Sequence, residues 1–259
     1  MADPHVDEYT VGVLCALLPE AVTVQWMLDQ SFANNQIGDK NEYTVYTGRI
    51  GHQNVVIQWC KVGKKNATEG RSALLRTYKK IEIVFVVGIA GGVPTYKNLM
   101  NETADVILGD VAISTEILAY DEIRKLPNGG IEIRTNPTPL KEKLDNFTKQ
   151  CAVGDDYDDL ESKMHEVMRT MGKKLEKKEK NNHIYPGATK DVLYKPTYHH
   201  MHDVNCAGCQ EGTCEKLALT CTELKCDDSE RIERDRLKEK TPPKPAIHFG
   251  TVASGDAVM

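Results

Sequence analysis

Apolar positions in this chain gather into short runs set between glycines, prolines and charged residues. The densest is Ile83–Val87, IVFVV, which is rich in β-branched types and meets Gly88, with Gly91 and Gly92 close behind. A run of this length bounded by Gly and Pro predicts a strand buried on both faces. Glycines at its carboxyl end let the backbone turn sharply and approach a ligand with no Cβ in the way. In open α/β sheets that end is where ligands sit. Taken alone, the same pattern fits a tight strand-to-loop turn equally well.

The rest of the chain supplies elements of the same kind. Tyr9–Ala16 predicts a strand, with Gly12 admitting a close neighbour. Pro19 suits a first helical turn, and Glu20–Gln30 predicts a helix with Val22, Trp26 and Met27 at helical spacing. Glu20 then stands where a strand meets a helix N-terminus. The helix dipole favours a carboxylate there, so an ordinary helix-start role is open beside a functional one. Asn41–Cys60 predicts a hairpin: Tyr43–Ile50 alternates, Gly51-His52-Gln53-Asn54 turns, and Val55–Cys60 returns. The Gly-containing loop from Lys61 to Asn66 opens a helix from Ala67 to Lys80, with Ala73, Leu74 and Tyr78 inward. A strand, a Gly loop and a helix N-terminus can hold anions or sugar hydroxyls through free N–H groups. The spacing is not that of a nucleotide-triphosphate loop.

Beyond the glycine motif, Asp105–Thr115 predicts a strand or strand pair with a Gly-Asp turn inside it. Tyr120-Asp121 falls in a loop, Ile131–Arg134 predicts a short strand, and Pro139–Cys151 a helix. Residues 154–245 change character. An acidic run from Asp155 to Glu161 is followed by a basic run from Lys173 to Lys180, the pattern of solvated faces or mobile loops. Ile247–Ser254, IHFGTVAS, reads again as a buried strand with Gly255-Asp256 as its exit. The expected organisation is a single domain with a core at 9–153 and 246–259 and an insertion at 154–245.

Composition narrows the function. A net charge of −5 with a pI near 5.9 argues against general nucleic-acid binding. No apolar run reaches the length of a membrane span, and the polar start MADPHVDEYT lacks a signal-peptide core. The eight cysteines are therefore expected to be reduced thiols in a cytoplasmic protein. His199, His200 and His202 precede Cys206-Ala-Gly-Cys209, then Cys214, Cys221 and Cys226. A CxxC turns two sulfurs to one side at a reach suited to zinc. Cys206, Cys209, Cys214 and Cys221 are the candidate ligands, a histidine being an alternative. Free thiols or a disulfide are the other readings. With no water-activating residue beside the cluster, a metal there would brace the insertion.

Five motifs stand in order along the chain: VGVLCALLPEAV, CKVGKKNA, VVGIAGGVP, LGDVAIS and HFGTVASGDAVM. This ordered set resembles the purine nucleoside phosphorylase and nucleosidase superfamily over residues 9–135 and 246–259. It is closest to the variety found in large fungal proteins fused to NACHT/NB-ARC or ankyrin-repeat modules. That variety also carries an insertion with histidines and a Cys-x-x-Cys. The resemblance implies an α/β fold of three layers, α/β/α, around a twisted mixed central sheet. It also implies cleavage of the N-glycosidic bond of purine nucleosides or nucleotides, with no cofactor required. The leaving base must be stabilised as it gains electron density, and the ribose as it becomes oxocarbenium-like.

By the same resemblance Glu20 orients or activates the nucleophile. Gly63 and Asn66 contact the ribose. Gly88, Ala90, Gly91 and Gly92 wrap the base and anion region, and Val258 and Met259 line the base pocket. Phosphorolytic members carry a hydroxyl where this chain has Ile89, and some hold phosphate with an Arg of the first helix, which is missing here. Hydrolysis is therefore expected over phosphorolysis. A ribose-binding Met-Glu pair and a Ser-Asp pair implied by the resemblance are not found, so the sheet is expected to be incomplete at its C-terminal end and activity to need a longer chain. A non-catalytic nucleoside-sensing module is the rival expectation. Expected partners are a small purine nucleoside or nucleotide, phosphate in the phosphorolytic case, and further copies of the chain, with no nucleic acid and no membrane.

Overall fold

The structure is a computed structural model, and it describes residues 4–38, 43–98, 101–126, 131–176, 185–238 and 243–255. In chain order the strands are β1 Val11–Cys15, β2 Gln30–Ile37, β3 Tyr43–Ile50, β4 Gln53–Trp59, β5 Ile83–Val86, β6 Thr95–Lys97, β7 Thr103–Asp105, β8 Val111–Ala119, β9 Ile123–Lys125, β10 Ile131–Ile133, β11 Thr138–Pro139 and β12 Ile247–Ser254. The α-helices are α1 Leu18–Trp26, α2 Lys64–Thr77, α3 Glu142–Cys151, α4 Gly154–Glu176, α5 Ala207–Glu211 and α6 Cys221–Leu224. The chain divides into two compact units. The first comprises Met1–Gly91, Ile113–Lys178 and Phe249–Met259; the second comprises Gly92–Ala112 and Glu179–His248.

The first unit is built on a five-stranded mixed sheet of order β2-β3-β4-β1-β5. β1 lies parallel to both β4 and β5, while β2, β3 and β4 form an antiparallel meander. Because side chains alternate along a strand, each apolar strand feeds two cores. Val13 and Cys15 of β1 with Val55 and Ile57 of β4 pack on Ala21, Val24 and Leu28 at one face. Leu14 and Val56 pack on Ala73, Leu74 and Tyr78 at the other. Helix, sheet and helix are thus three layers, with α1 and α2 on opposite faces. Burying a side chain such as Leu74, which is fully enclosed, contributes about 2–3 kcal/mol. Gly12 faces α2, where a Cβ would lie 3.0 Å from Leu74, so its lack of a side chain sets the helix-to-sheet distance.

Several sequence expectations hold here. The hairpin forms, with a turn reduced to Gly51-His52, and Ala73, Leu74 and Tyr78 are the inward residues of α2, although the helix begins earlier, at Lys64. Others are corrected. In α1 the inward residues are Glu20, Ala21 and Val24, and Met27 is exposed. Glu20 must face the sheet, and residues one and two turns further on, Val24 and Leu28, follow it inward. β2, QSFANNQI, was not foreseen, because its polar sequence lacks an apolar alternation. It pairs with β3 through an irregularity between Ser31 and Asn34.

The largest correction concerns β5, expected to be buried on both faces. It closes the five-stranded sheet at an edge, with Phe85 49% and Val86 81% exposed. An apolar run records an appetite for cover, and among the described residues only β1 pairs with it.

The first unit also contains the β9–β10 hairpin, helices α3 and α4, and most of a three-stranded sheet of order β11-β8-β12. The acidic run opens α4, where Asp155 and Asp156 lie in the first turn, are exposed and suit the dipole. Lys177, Lys178 and Lys180 of the basic run lie outside the described residues. The tail strand β12 buries Ile247 and Phe249 but exposes its later residues.

In the second unit β6 and β7 form a hairpin, and Gly109 turns the chain at φ +92° ahead of β8, giving the foreseen Gly-Asp turn. Ile107, Cys209 and Ile247 are its only fully buried apolar residues among those described. Charged groups do much of the holding. Arg234 is buried and pairs with Asp105 at 3.1 Å and Asp191 at 2.9 Å. Arg236 pairs with Asp110 at 2.6 Å, and His248 meets the same carboxylate at 2.8 Å. Burial alone would raise the Asp110 carboxyl. Hydrogen bonds from His248, Arg236 and the N–H groups of Ile107 and Ala246 outweigh it and hold the group well below the carboxylate range.

Candidate functional site

β4, β1 and β5 are neighbours and mutually parallel, so their carboxyl ends share one edge of the sheet. The segments leaving those ends are the start of α1, the Gly63 loop and the Gly88 turn. Topology therefore gathers Glu20, Gly63, Asn66, Gly88, Ala90 and Gly91 at one sheet edge, the usual ligand side of such a fold.

Glu20 is the best-defined member. It sits in the first turn of α1 and is 8% exposed. Its Oε2 accepts the N–H of Leu17 at 2.8 Å, and its Oε1 accepts the N–H of Ile89 at 2.9 Å. The first bond caps the helix; the second ties the end of β1 to the turn after β5. Gly88 makes this approach feasible, since a Cβ there would lie 3.0 Å from Oε1. The turn itself is open: the Ile89 side chain is 83% exposed, and Gly88, Ala90 and Gly91 are exposed with it.

Beneath the carboxylate lie two thiols. Burial, then the charge of Glu20 and then Cys60, push Cys15 up to about 12, and burial raises Cys60 as well. Both sulfurs are thus neutral packing groups. Trp59 donates from Nε1 to the carbonyl of Ala16 at 3.1 Å, fixing the backbone just before Glu20's helix.

On the next strand, Gly63 stands at φ +110° immediately before α2, a conformation that favours glycine. Asn66 donates from Nδ2 to the carbonyl of Val62 at 2.6 Å and so braces the loop. Lys64 forms an ion pair with Asp121, a link that the sequence signalled only as an isolated Tyr-Asp in a loop. The ring of that loop's Tyr120 also lies where a Cβ on Gly255 would fall, 2.7 Å away. Gly92 belongs to the second unit, where a Cβ would meet Val106 at 2.9 Å. Val258 and Met259 lie outside the described residues.

The cysteines of the second unit form two groups where the sequence suggested one. His202, Cys206, Cys209 and Cys214 bring their donor atoms within 4.8 Å of one another, and His200, Cys221 and Cys226 do the same. Cys221 therefore does not join Cys206, Cys209 and Cys214; His202 stands in its place. None of the eight cysteines is in a disulfide. Spacing could not reveal which histidine serves which thiols, because His200 and His202 lie only two positions apart.

Comparison with known proteins gives these residues a context. The sequence model of the phosphorylase superfamily matches residues 10–173. The chain is 34% identical over 110 residues to a nucleotide-binding leucine-rich repeat (NLR)-like protein of Hyaloscypha variabilis, covering 42% of this chain and 10% of that protein. It is 29% identical over 111 residues to a 5′-methylthioadenosine/S-adenosylhomocysteine nucleosidase of Maridesulfovibrio salexigens, covering 43% of this chain and 42% of that one. The chain thus spans less than half the length of either relative. Among solved structures, the Streptococcus pyogenes S-adenosylhomocysteine nucleosidase with 5-methylthiotubericidin is 18% identical with a TM-score of 0.41, covering 55% of this chain and 56% of that chain. The Neisseria meningitidis 5′-methylthioadenosine/S-adenosylhomocysteine nucleosidase with methylthio-immucillin-A is 21% identical with a TM-score of 0.38, covering 55% and 57%.

Proposed function

Because the chain belongs to the phosphorylase superfamily and has its α/β nucleoside phosphorylase-like fold, we propose that its first unit takes part in cleaving the N-glycosidic bond of purine nucleosides or nucleotides. The observation that carries this reading is Glu20, held by two backbone N–H groups at the carboxyl edge of the sheet. A carboxylate offers about four acceptor positions, and two are filled here. The other two can orient a water toward C1′ of the ribose. The water oxygen forms the new bond to C1′ and gives up a proton to the carboxylate. The C1′–N bond breaks, and the base leaves with the bonding pair and takes up a proton from solvent. Gly63 and Asn66 flank the ribose, and Gly88, Ala90 and Gly91 leave room for the base.

Hydrolysis is favoured over phosphorolysis by two features. Ile89 supplies no hydroxyl, and its N–H, which a phosphate oxygen would otherwise meet, is engaged by Glu20. No step draws on a cofactor. A cytoplasmic setting fits eight cysteines with no disulfide between them, and among the described residues no helix is long and apolar enough to cross a membrane.

A second reading, nucleoside sensing without turnover, is favoured by the likeness to an NLR-like protein of which the match covers only 10%. Chromatography of free purine released from adenosine, inosine, 5′-methylthioadenosine and ATP separates the two. In a chain that also carries the Met-Glu and Ser-Asp pairs, we expect base release that Glu20→Gln lowers by at least ~100-fold. Binding without release supports the sensing reading, and a rate unchanged in Glu20→Gln removes Glu20 from the chemistry. Ribose 1-phosphate formed on adding phosphate would overturn hydrolysis.

A further inference from the structure

The two Cys/His groups of the second unit are built alike. In the first, Cys206 caps α5 and Cys209 lies within it; Gly212 then turns left-handed at φ +73° and returns the chain, with the Cys214 N–H bonded to the Gly208 carbonyl at 3.0 Å. In the second, Cys221 opens α6, capped by Thr220, and Lys225 turns left-handed at φ +54°. The Cys226 N–H then bonds the Cys221 carbonyl at 3.0 Å. A lysine in that conformation costs about 1 kcal/mol, and here it places one sulfur beside another.

Each group then faces one imidazole nitrogen. His202 Nδ1 lies 3.1 Å from the sulfur of Cys209 and 3.6 Å from that of Cys214. His200 Nδ1 lies 3.5 Å from Cys221 and 3.6 Å from Cys226. One ring nitrogen can serve one hydrogen bond, so two sulfurs around it exceed what thiol–imidazole bonding uses. Bond lengths of roughly 2.3 Å to sulfur and 2.05 Å to nitrogen, at tetrahedral angles, put sulfur and nitrogen about 3.5 Å apart. Three of the four separations, at 3.5–3.6 Å, match it; the fourth, to Cys209, is 3.1 Å. His200 also presents Nε2 to the carbonyl of Leu219 at 2.9 Å, the outer bond that orients a metal-bound histidine.

We propose that the second unit carries two zinc-type sites, a closed one on His202, Cys206, Cys209 and Cys214 and an open one on His200, Cys221 and Cys226. The closed site has four protein donors, as structural zinc does; the open site has three, and water completes it. The unit has reason to need such ions. Among its described residues only Ile107, Cys209 and Ile247 are buried and apolar, too few for the hydrophobic core that small domains otherwise supplement with metals.

The test is metal analysis of the whole chain purified under reducing conditions, loaded with zinc and desalted. About two zinc ions per chain are expected. Cys209→Ser and Cys226→Ser should each lose about one, and the double variant both. EDTA should strip the three-donor site before the four-donor site. Cobalt loading should give thiolate-to-metal charge-transfer absorption that falls in each variant. Trp26 and Trp59 both lie in the first unit, so their fluorescence reports whether a variant chain has folded apart from its metal content. Less than about 0.2 zinc per chain after loading, or variants that retain both ions, would overturn the proposal. Simultaneous release of both ions would overturn the distinction between closed and open sites.

Discussion

At Gly88 one missing methyl group decides how a carboxylate sits. A Cβ there would stand 3.0 Å from Oε1 and 3.3 Å from Cδ of Glu20, closer than packed atoms normally allow. Gly88→Ala should therefore push the carboxylate off the Ile89 N–H, at a cost of about 1–2 kcal/mol for one charge-assisted hydrogen bond. A lower thermal midpoint together with slower base release would bear this out; an unchanged midpoint would mean that Glu20 has room to yield. Glu20 was legible in the sequence as a residue at a strand-to-helix junction. Its clamp was not, because the partner N–H lies 69 residues along the chain and belongs to a backbone whose sequence only announces a turn.

Among the elements, the contact between β4 and α2 holds a feature that the pattern of apolar residues hides. Gln58 of β4 is fully buried on the α2 face, and neither its Oε1 nor its Nε2 has a hydrogen-bond partner. A Cβ on Gly70 of α2 would lie 2.8 Å from that Nε2, so the helix approaches too closely to leave spare room. Burying an unpaired amide costs on the order of 1–3 kcal/mol. Gln58→Met, close in shape and without polar atoms, should raise stability by about 1–2 kcal/mol in urea unfolding; a loss would show that the amide is satisfied by a bound water. The elements themselves were readable where apolar residues repeat with a clear period, as in β1, β4 and α2. They were not where a strand is polar (β2), nor where the cover of an apolar run had to be guessed (β5).

Over the whole molecule, pH should act through the second unit's carboxylate network. The Asp110 carboxyl is depressed in the folded state from an ordinary 3.8. As pH falls through 3.8 the unfolded chain takes up the proton first, so stability present above that value is lost progressively toward the lower folded value. Arg236, His248, Tyr96 and Tyr185 lie around this site. Asp110→Asn should lower stability near neutrality by about 3 kcal/mol, because it removes the carboxylate that pairs with Arg236 and His248. It should also flatten the acid limb below about pH 3.8, measured with EDTA throughout. None of this network was visible beforehand, since its members are scattered from Tyr96 to His248, whereas the family was legible from motif order alone. The tie between Glu20 and Ile89 also bears on the order of events during synthesis. The α1 segment leaves the ribosome with its carboxylate long before residue 89 exists, and contacts of such long range are among the last that a chain closes. A nascent chain therefore carries its candidate catalytic carboxylate unheld, and the arrangement around it comes into being only when the fifth strand zips onto the first.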